Sequence, residues 1–195
     1  KLPAGIVLRG EYQWVDLDGE GISGILTEQA EGWFYKRNLS PVNLVRDNGN
    51  DANTGLADTA GGAFRTWQAA INHCAAYDFN GFVVTIRCTQ TTAVFAQGAT
   101  IPKIPGVTRP GNFILLGSSG TSKPAIVTSQ SYGFHVDGGM CRVDGFRFAV
   151  NAIAGNCAAL CADNDGIIEQ RNNIFDAQVG VTGFLASHML AAYSG

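Results

Sequence analysis

Asp137, Asp144, Asp163, Asp165, Glu169 and Asp176 are the side chains in the second half of the chain whose chemistry is most readily put to use. Cleaving a glycosidic bond takes two carboxyl groups facing each other across a groove, about 5 to 9.5 Å apart, one giving a proton while the other acts as base or nucleophile. Asp163 and Asp165, in Ala162-Asp-Asn-Asp-Gly166, are the one pair on the same side of a short segment, and they are the candidate catalytic residues. The letters D-N-D-G are also those of a turn between strands, and the turn is the preferred reading. Asp144 and Glu169 acquire arginine partners in the register derived below, which assigns them to structure rather than chemistry.

A second group lies near the start, where Asp16, Asp18 and Glu20 alternate with Leu17 and Gly19 in D-L-D-G-E-G. That spacing can turn several oxygens toward one hard cation, so these three are candidate calcium ligands. No carboxylate follows at the distance an EF-hand loop requires, and Asp-Gly is also an ordinary hairpin turn. Calcium is the one cofactor this loop could hold, and no other cofactor is expected. The five cysteines, Cys74, Cys88, Cys141, Cys157 and Cys161, are odd in number, so at least one is unpaired within the chain. Their apolar neighbours suit small core hydrophobes. Read as metal ligands, Cys157 and Cys161 lack a second pair at zinc spacing, and His73, His135 and His188 are scattered. No nucleophile elbow, P-loop or paired zinc motif is present.

The elements that must position such groups are mostly strands. Gly is abundant at 25, Pro is only 6 and charged residues are 15%, a balance that suits short strands and tight turns in a β-rich chain. The one convincing helix is predicted over Ala63–Ala76, where Phe64, Trp67, Ala70, Ile71 and Cys74 fall on one stripe and Asp58 or Thr59 is available as a cap. Phe82–Cys88 (FVVTIRC) is predicted as a strand buried on both faces, the start of a first coil. Sliding the sequence on itself by 27 residues lays Phe113-Ile-Leu-Leu-Gly on Met140-Cys-Arg-Val-Asp and then on Ile167-Ile-Glu-Gln-Arg. Ile114, Cys141 and Ile168 then align as a core column, Phe148 falls on Phe175 and Ala125 on Ala152. Arg142 meets Glu169 and Asp144 meets Arg171, opposite charges one strand spacing apart. Arg147 falls on Ile174, which implies a corner near Gly145 and Asn172-Asn173. Stacking like residues in successive coils is how a solenoid builds a continuous core, and Phe82 to Gly195 would supply about four coils.

The stretch Gly49-Asn-Asp-Ala-Asn-Thr-Gly55, followed by Phe64-Arg-Thr-Trp-Gln-Ala-Ala-Ile71, resembles the opening of right-handed parallel β-helix proteins of the pectate-lyase-like kind, in the form found in tail fibres and tailspikes of tailed bacteriophages. The resemblance implies an all-β fold, a right-handed parallel β-helix capped by one N-terminal α-helix. It further implies a homotrimer in the phage tail, contacting other tail proteins, acting outside the cell and attaching to a host surface polysaccharide. It leaves open a depolymerase, lyase or hydrolase, on the same scaffold. Residues 12–41 are similar to a segment of the B component of insecticidal toxin complexes and to blades of the FG-GAP type, departing from the calcium-binding blade at Ser23 and Gly24. They imply a third reading, a toxin-complex shell subunit. The expected division is a small N-terminal β-rich connector over 1–41, then the helix and coils over 42–195, with Pro41 marking the boundary. The chain starts without Met and ends in mid-pattern, so it is expected to be a piece of a longer polypeptide. A net charge of −3 with no basic run offers no footprint for nucleic acid, and no apolar run approaches a membrane span.

Overall fold

The structure, a computed structural model, describes residues 14–16, 23–29, 32–36, 42–79, 81–128, 132–150, 157–176 and 186–191. The chain divides into two compact units, Lys1–Pro41 and Val42–Gly195. In the first, β1 (Trp14–Asp16), β2 (Ser23–Gln29) and β3 (Gly32–Lys36) form an antiparallel sheet in the order β1-β2-β3. Asp16 pairs with Ser23 across the β1–β2 hairpin, and Gly24 and Glu28 in S-G-I-L-T-E-Q mask the strand preference of Ile25 to Thr27.

Among the described residues the second unit is mostly sheet with a single α-helix. It opens with β4 (Val42–Leu44) and α1 (Trp67–Ala75), and then passes through twelve strands: β5 (Val84–Arg87), β6 (Val94–Phe95), β7 (Ala99–Pro102), β8 (Phe113–Leu116), β9 (Ala125–Thr128), β10 (Tyr132–Asp137), β11 (Met140–Asp144), β12 (Arg147–Val150), β13 (Cys157–Asp163), β14 (Ile167–Arg171), β15 (Ile174–Phe175) and β16 (Ala186–Ala191). Every third strand returns to the same sheet. The first sheet is ordered β14-β11-β8-β5-β4, the second β15-β12-β9-β6 and the third β16-β13-β10-β7, and every neighbouring pair in them is parallel.

Residues that alternate along each strand send one set inward. Val84, Phe113 and Cys141 are buried in the first sheet, as are Ile86, Leu115 and Val143, with Phe146, Phe148 and Phe134 filling the space between sheets. This corrects the first strand, which alternates rather than being buried on both faces: Phe82 and Val83 are 55% and 46% exposed. It also begins one strand later than the stack does, because β4 already pairs in parallel with β5.

The 27-residue step holds between β11 and β14, where Cys141 meets Ile168 and Arg142 meets Glu169. Phe148 likewise stacks on Phe175, ring centroids 5.5 Å apart and 13° between planes. Elsewhere it changes. Val84 pairs with Phe113, a step of 29, and Ile114 with Arg142, a step of 28, so Ile114 lies outside beneath Arg142 and not in a column with Cys141. In the second sheet Ala125 pairs with Arg147, a step of 22, and Ala152 lies outside the described residues. The ladders and the inward parity of buried residues fix the register, and loops of unequal length absorb the difference. A one-residue slip at β8 would turn Phe113 out to solvent. The corner expected near Gly145 and Asn172 is present, with φ of 81° and 48°. Asn173 completes it: its Oδ1 accepts from the Phe146 N–H at 2.9 Å and its Nδ2 donates to the Val143 carbonyl at 3.0 Å.

Helix α1 starts at Trp67, four residues later than the apolar stripe suggested, and Thr66 rather than Asp58 or Thr59 is its cap. Phe64 is drawn into a bridge with Val45, its N–H donating to the Leu44 carbonyl at 2.9 Å, which removes residues 63–64 from the helix. Thr66 Oγ1 accepts from the Ala69 N–H at 3.1 Å, and Asp51 accepts from the N–H groups of Arg65 and Thr66, both at 2.8 Å. The turn-rich run before it is held by side chains: Asn53 Nδ2 donates to the carbonyls of Ala60 and Ala63 at 3.0 and 2.8 Å. Gly55, at φ 73°, lies so close to the Phe64 ring that a Cβ would sit 2.4 Å from it.

Asp58 ties this lobe to the segment after β5, accepting from Thr89 Oγ1 at 2.5 Å and pairing with Arg46 at 2.7 Å. The Thr89 hydrogen bond, and then that of Arg46, hold its carboxyl below the ordinary 3.8. A carboxyl depressed in the folded state adds stability above its unfolded value and loses it as the pH falls through the folded one. Asp58→Asn is therefore expected to lower the urea midpoint at neutral pH and to converge with the parent protein as the pH falls below the ordinary 3.8. A gap that stays constant down to pH 2 would show that the carboxylate charge is not what stabilises the lobe.

Candidate functional site

Two grooves meet beside the N-terminus of α1. The larger, about 520 Å³, is bordered by Asp47, Arg65, Trp67, Val94 and Gln97, and the smaller, about 300 Å³, by Gln68, Gln97, Thr100, Tyr132 and His135. Gln97, in the exposed turn between β6 and β7, is common to both. The border carries carboxylate, guanidinium, amide and aromatic groups together, the set that hydrogen-bonds hydroxyls in either sense and packs against the apolar face of a ring. Asp51 also lies here, but its two oxygens are taken by Arg65 and Thr66 at the helix start. Trp67 Nε1 is buried without a hydrogen-bond partner among the described residues.

Gln68 closes the edge of the third sheet. Its Oε1 accepts from the Thr100 N–H at 2.8 Å and its Nε2 donates to the Thr100 carbonyl at 3.1 Å, so the side-chain amide takes the place of a neighbouring strand on β7. An unpaired edge invites association with other chains. Gln68→Ala is expected to cost about 1 to 2 kcal/mol, two neutral hydrogen bonds at a partly exposed site, readable as a lower urea midpoint. A change within error would mean that water replaces the amide without loss.

On the outward face of the same sheet, His135 of β10 lies level with Thr100 of β7 and Cys161 of β13. Its Nε2 stands 2.9 Å from Asp163 Oδ2, and its ring centroid is 5.0 Å from that of Tyr132. The Tyr132 hydroxyl is hydrogen-bonded to the Cys161 sulfur. Burial, and then the charge of Asp163, push the Cys161 thiol upward against that bond, and burial followed by the charge of Cys161 raises Tyr132. Cys74, Cys88 and Cys141 are likewise free and buried, with burial driving their thiols to about 12, 11 and 12.

Asp163, expected as half of a catalytic pair, ends β13 with its carboxylate on His135, and Asp165 is exposed in the turn that follows. Asn164 and Asp165 have φ of 48° and 63°, and the Gly166 N–H donates to the Asp163 carbonyl at 2.8 Å. Asp16 is the last residue of β1, while Asp18 and Glu20 lie outside the described residues, as does the side chain of Cys157. Glu169 accepts from Arg142 Nε at 2.9 Å and also from Arg171 Nε at 2.7 Å; among the described residues Asp144 and Arg171 form no ion pair. These hydrogen bonds, that of Arg142 foremost, keep the Glu169 carboxyl below its ordinary 4.5. The group formed by Tyr132, His135, Cys161 and Asp163 was missed in the sequence because the third sheet steps by 26 residues at this point, His135 to Cys161, and a slide of 27 passes it by. No family model, curated protein or solved structure matches the chain.

Proposed function

We propose that the chain from Val42 onward is a right-handed parallel β-helix serving as a structural and receptor-binding part of a bacteriophage tail, a tail fibre or tailspike, and that it holds a host surface glycan in the grooves beside α1. The observation that carries this reading is the strand order: every third strand adds in parallel to the same sheet, and a helix whose Gln68 occupies the starting edge covers the end. Parallel crossover connections are right-handed in nearly all proteins, which supports that hand here. Gln97, Asp47, Arg65 and Tyr132 supply the amide, charged and aromatic contacts that a sugar needs. Assembly as a homotrimer within the virion, alongside other tail proteins, belongs to the same reading. Cleavage of the glycan has no comparable support, since Asp163 is engaged by His135 and Asp165 sits in a left-handed turn.

The reading is tested by probing an array of purified bacterial surface polysaccharides with the labelled protein, its Gln97→Ala variant and its Tyr132→Ala variant. Retention on at least one polysaccharide, reduced about tenfold or more in a variant whose melting temperature is unchanged, is the expected result. Binding that both variants preserve would move the site elsewhere, and no binding to any polysaccharide would remove glycan recognition.

A further inference from the structure

We propose that His135, Cys161 and Asp163 form a binding site for a divalent transition-metal ion of the zinc class. The three side chains come from two paired parallel strands: Cys161 and Asp163 are two residues apart on β13 and so share one face, and His135 stands opposite Cys161 on β10. Their ligand atoms all lie within 4.8 Å of one another. Zinc sits about 2.0 to 2.3 Å from nitrogen, oxygen and sulfur ligands, which places those ligands about 3 to 4 Å from each other around a tetrahedral ion. Small rotations of the side chains therefore suffice.

The donor set decides the class of ion. One imidazole nitrogen, one sulfur and one carboxylate oxygen match zinc or cobalt, whereas calcium and magnesium take oxygen ligands alone. A second observation points the same way. Asp163 Oδ1 is buried and has no hydrogen-bond partner among the described residues, although Oδ2 is held by His135. A cation beside this carboxylate gives that oxygen the positive neighbour it lacks. The side chains of His135 and Asp163 are 20% and 29% exposed, so the ion has a path from solvent to the buried sulfur. Tyr132 supports the set from behind, its hydroxyl on the sulfur and its ring against His135.

Cobalt is the probe, because a cobalt–thiolate bond gives a near-ultraviolet charge-transfer band and four-coordinate cobalt gives visible bands. Titrating the full chain with Co²⁺ is expected to produce both, in a 1:1 ratio, and excess Zn²⁺ is expected to erase them. Cys161→Ser is expected to lose the charge-transfer band, Cys157→Ser to keep it, and Asp163→Asn, which can still hydrogen-bond His135, to bind cobalt about tenfold or more weakly. Zn²⁺ should also raise the melting temperature of the parent protein and leave that of Cys161→Ser unmoved. Absence of any charge-transfer band from the folded parent protein, or a band that survives in Cys161→Ser, would overturn the site. Should Cys161→Ser not fold, equal cobalt affinity in the parent protein and Asp163→Asn would do the same.

Discussion

Trp67→Ala is expected to destabilise the second unit by about 3 to 5 kcal/mol, the cost of emptying a buried indole site. Trp67 is 1% exposed and lies at the end of the stack where three aromatic edges converge. Its ring centroid is 5.6 Å from that of Phe95, 5.8 Å from Phe134 and 5.0 Å from Phe146, all near perpendicular. These three belong to β6, β10 and the turn before β12, so one side chain of α1 ties together parts of three successive passes of the chain. Trp67→Phe should cost less, about 1 to 2 kcal/mol, because it keeps a ring in the site and removes the unpartnered Nε1 donor. Urea unfolding followed by far-ultraviolet circular dichroism reads both values. A loss under about 1 kcal/mol for the alanine variant would show that α1 does not seal the core.

The second large effect is expected at Gly145. The residue sits at φ 81°, and a Cβ there would lie 2.4 Å from the carbonyl oxygen and 2.7 Å from the nitrogen of Ser118, just after β8. Both contacts are with backbone, which cannot rotate away. The corner is also hydrogen-bonded through its own peptide groups: Ser118 donates to the Gly145 carbonyl at 2.9 Å, and Gly145 donates to the Arg171 carbonyl at 3.2 Å. Left-handed backbone costs a non-glycine residue about 1 to 2 kcal/mol before any clash, so Gly145→Ala is expected to lose about 3 kcal/mol or more in total. Gly120→Ala is the control, since Gly120 is exposed and a Cβ there would meet only Ser118 Oγ at 3.5 Å. Equal melting temperatures for the two variants would contradict the close approach of coils at this corner.

How far the sequence could be read depended on whether neighbouring coils happened to be equally long. Arg142 and Glu169 were legible as partners, and Phe148 and Phe175 as a stack, because β11–β14 and β12–β15 both step by 27. Ile114 was misplaced because one additional residue between β8 and β11 changes the step while leaving the inward parity of Phe113 intact. Asp144 and Arg171 are in register, yet Arg171 turns to Glu169, a choice made by side-chain reach that no alignment records. The cap of α1 was hidden for a different reason: the bridge from Phe64 to Val45 is long-range, and it overrides a helical stripe that is locally sound. His135, Cys161 and Asp163 were invisible as a group because their sheet steps by 26, although D-N-D-G was correctly read as a turn.

The central claim is that successive passes of the chain stack in parallel with these registers, and interstrand nuclear Overhauser contacts from the backbone of the isotope-labelled protein test it most directly. The account predicts two columns of contacts across the first sheet, Thr85–Ile114–Arg142–Glu169 and Ile86–Leu115–Val143–Gln170, each step with the pattern of parallel neighbours about 4.8 Å apart. Close Hα–Hα contacts between β5 and β8, β8 and β11, or β11 and β14, which belong to antiparallel pairs, would contradict it.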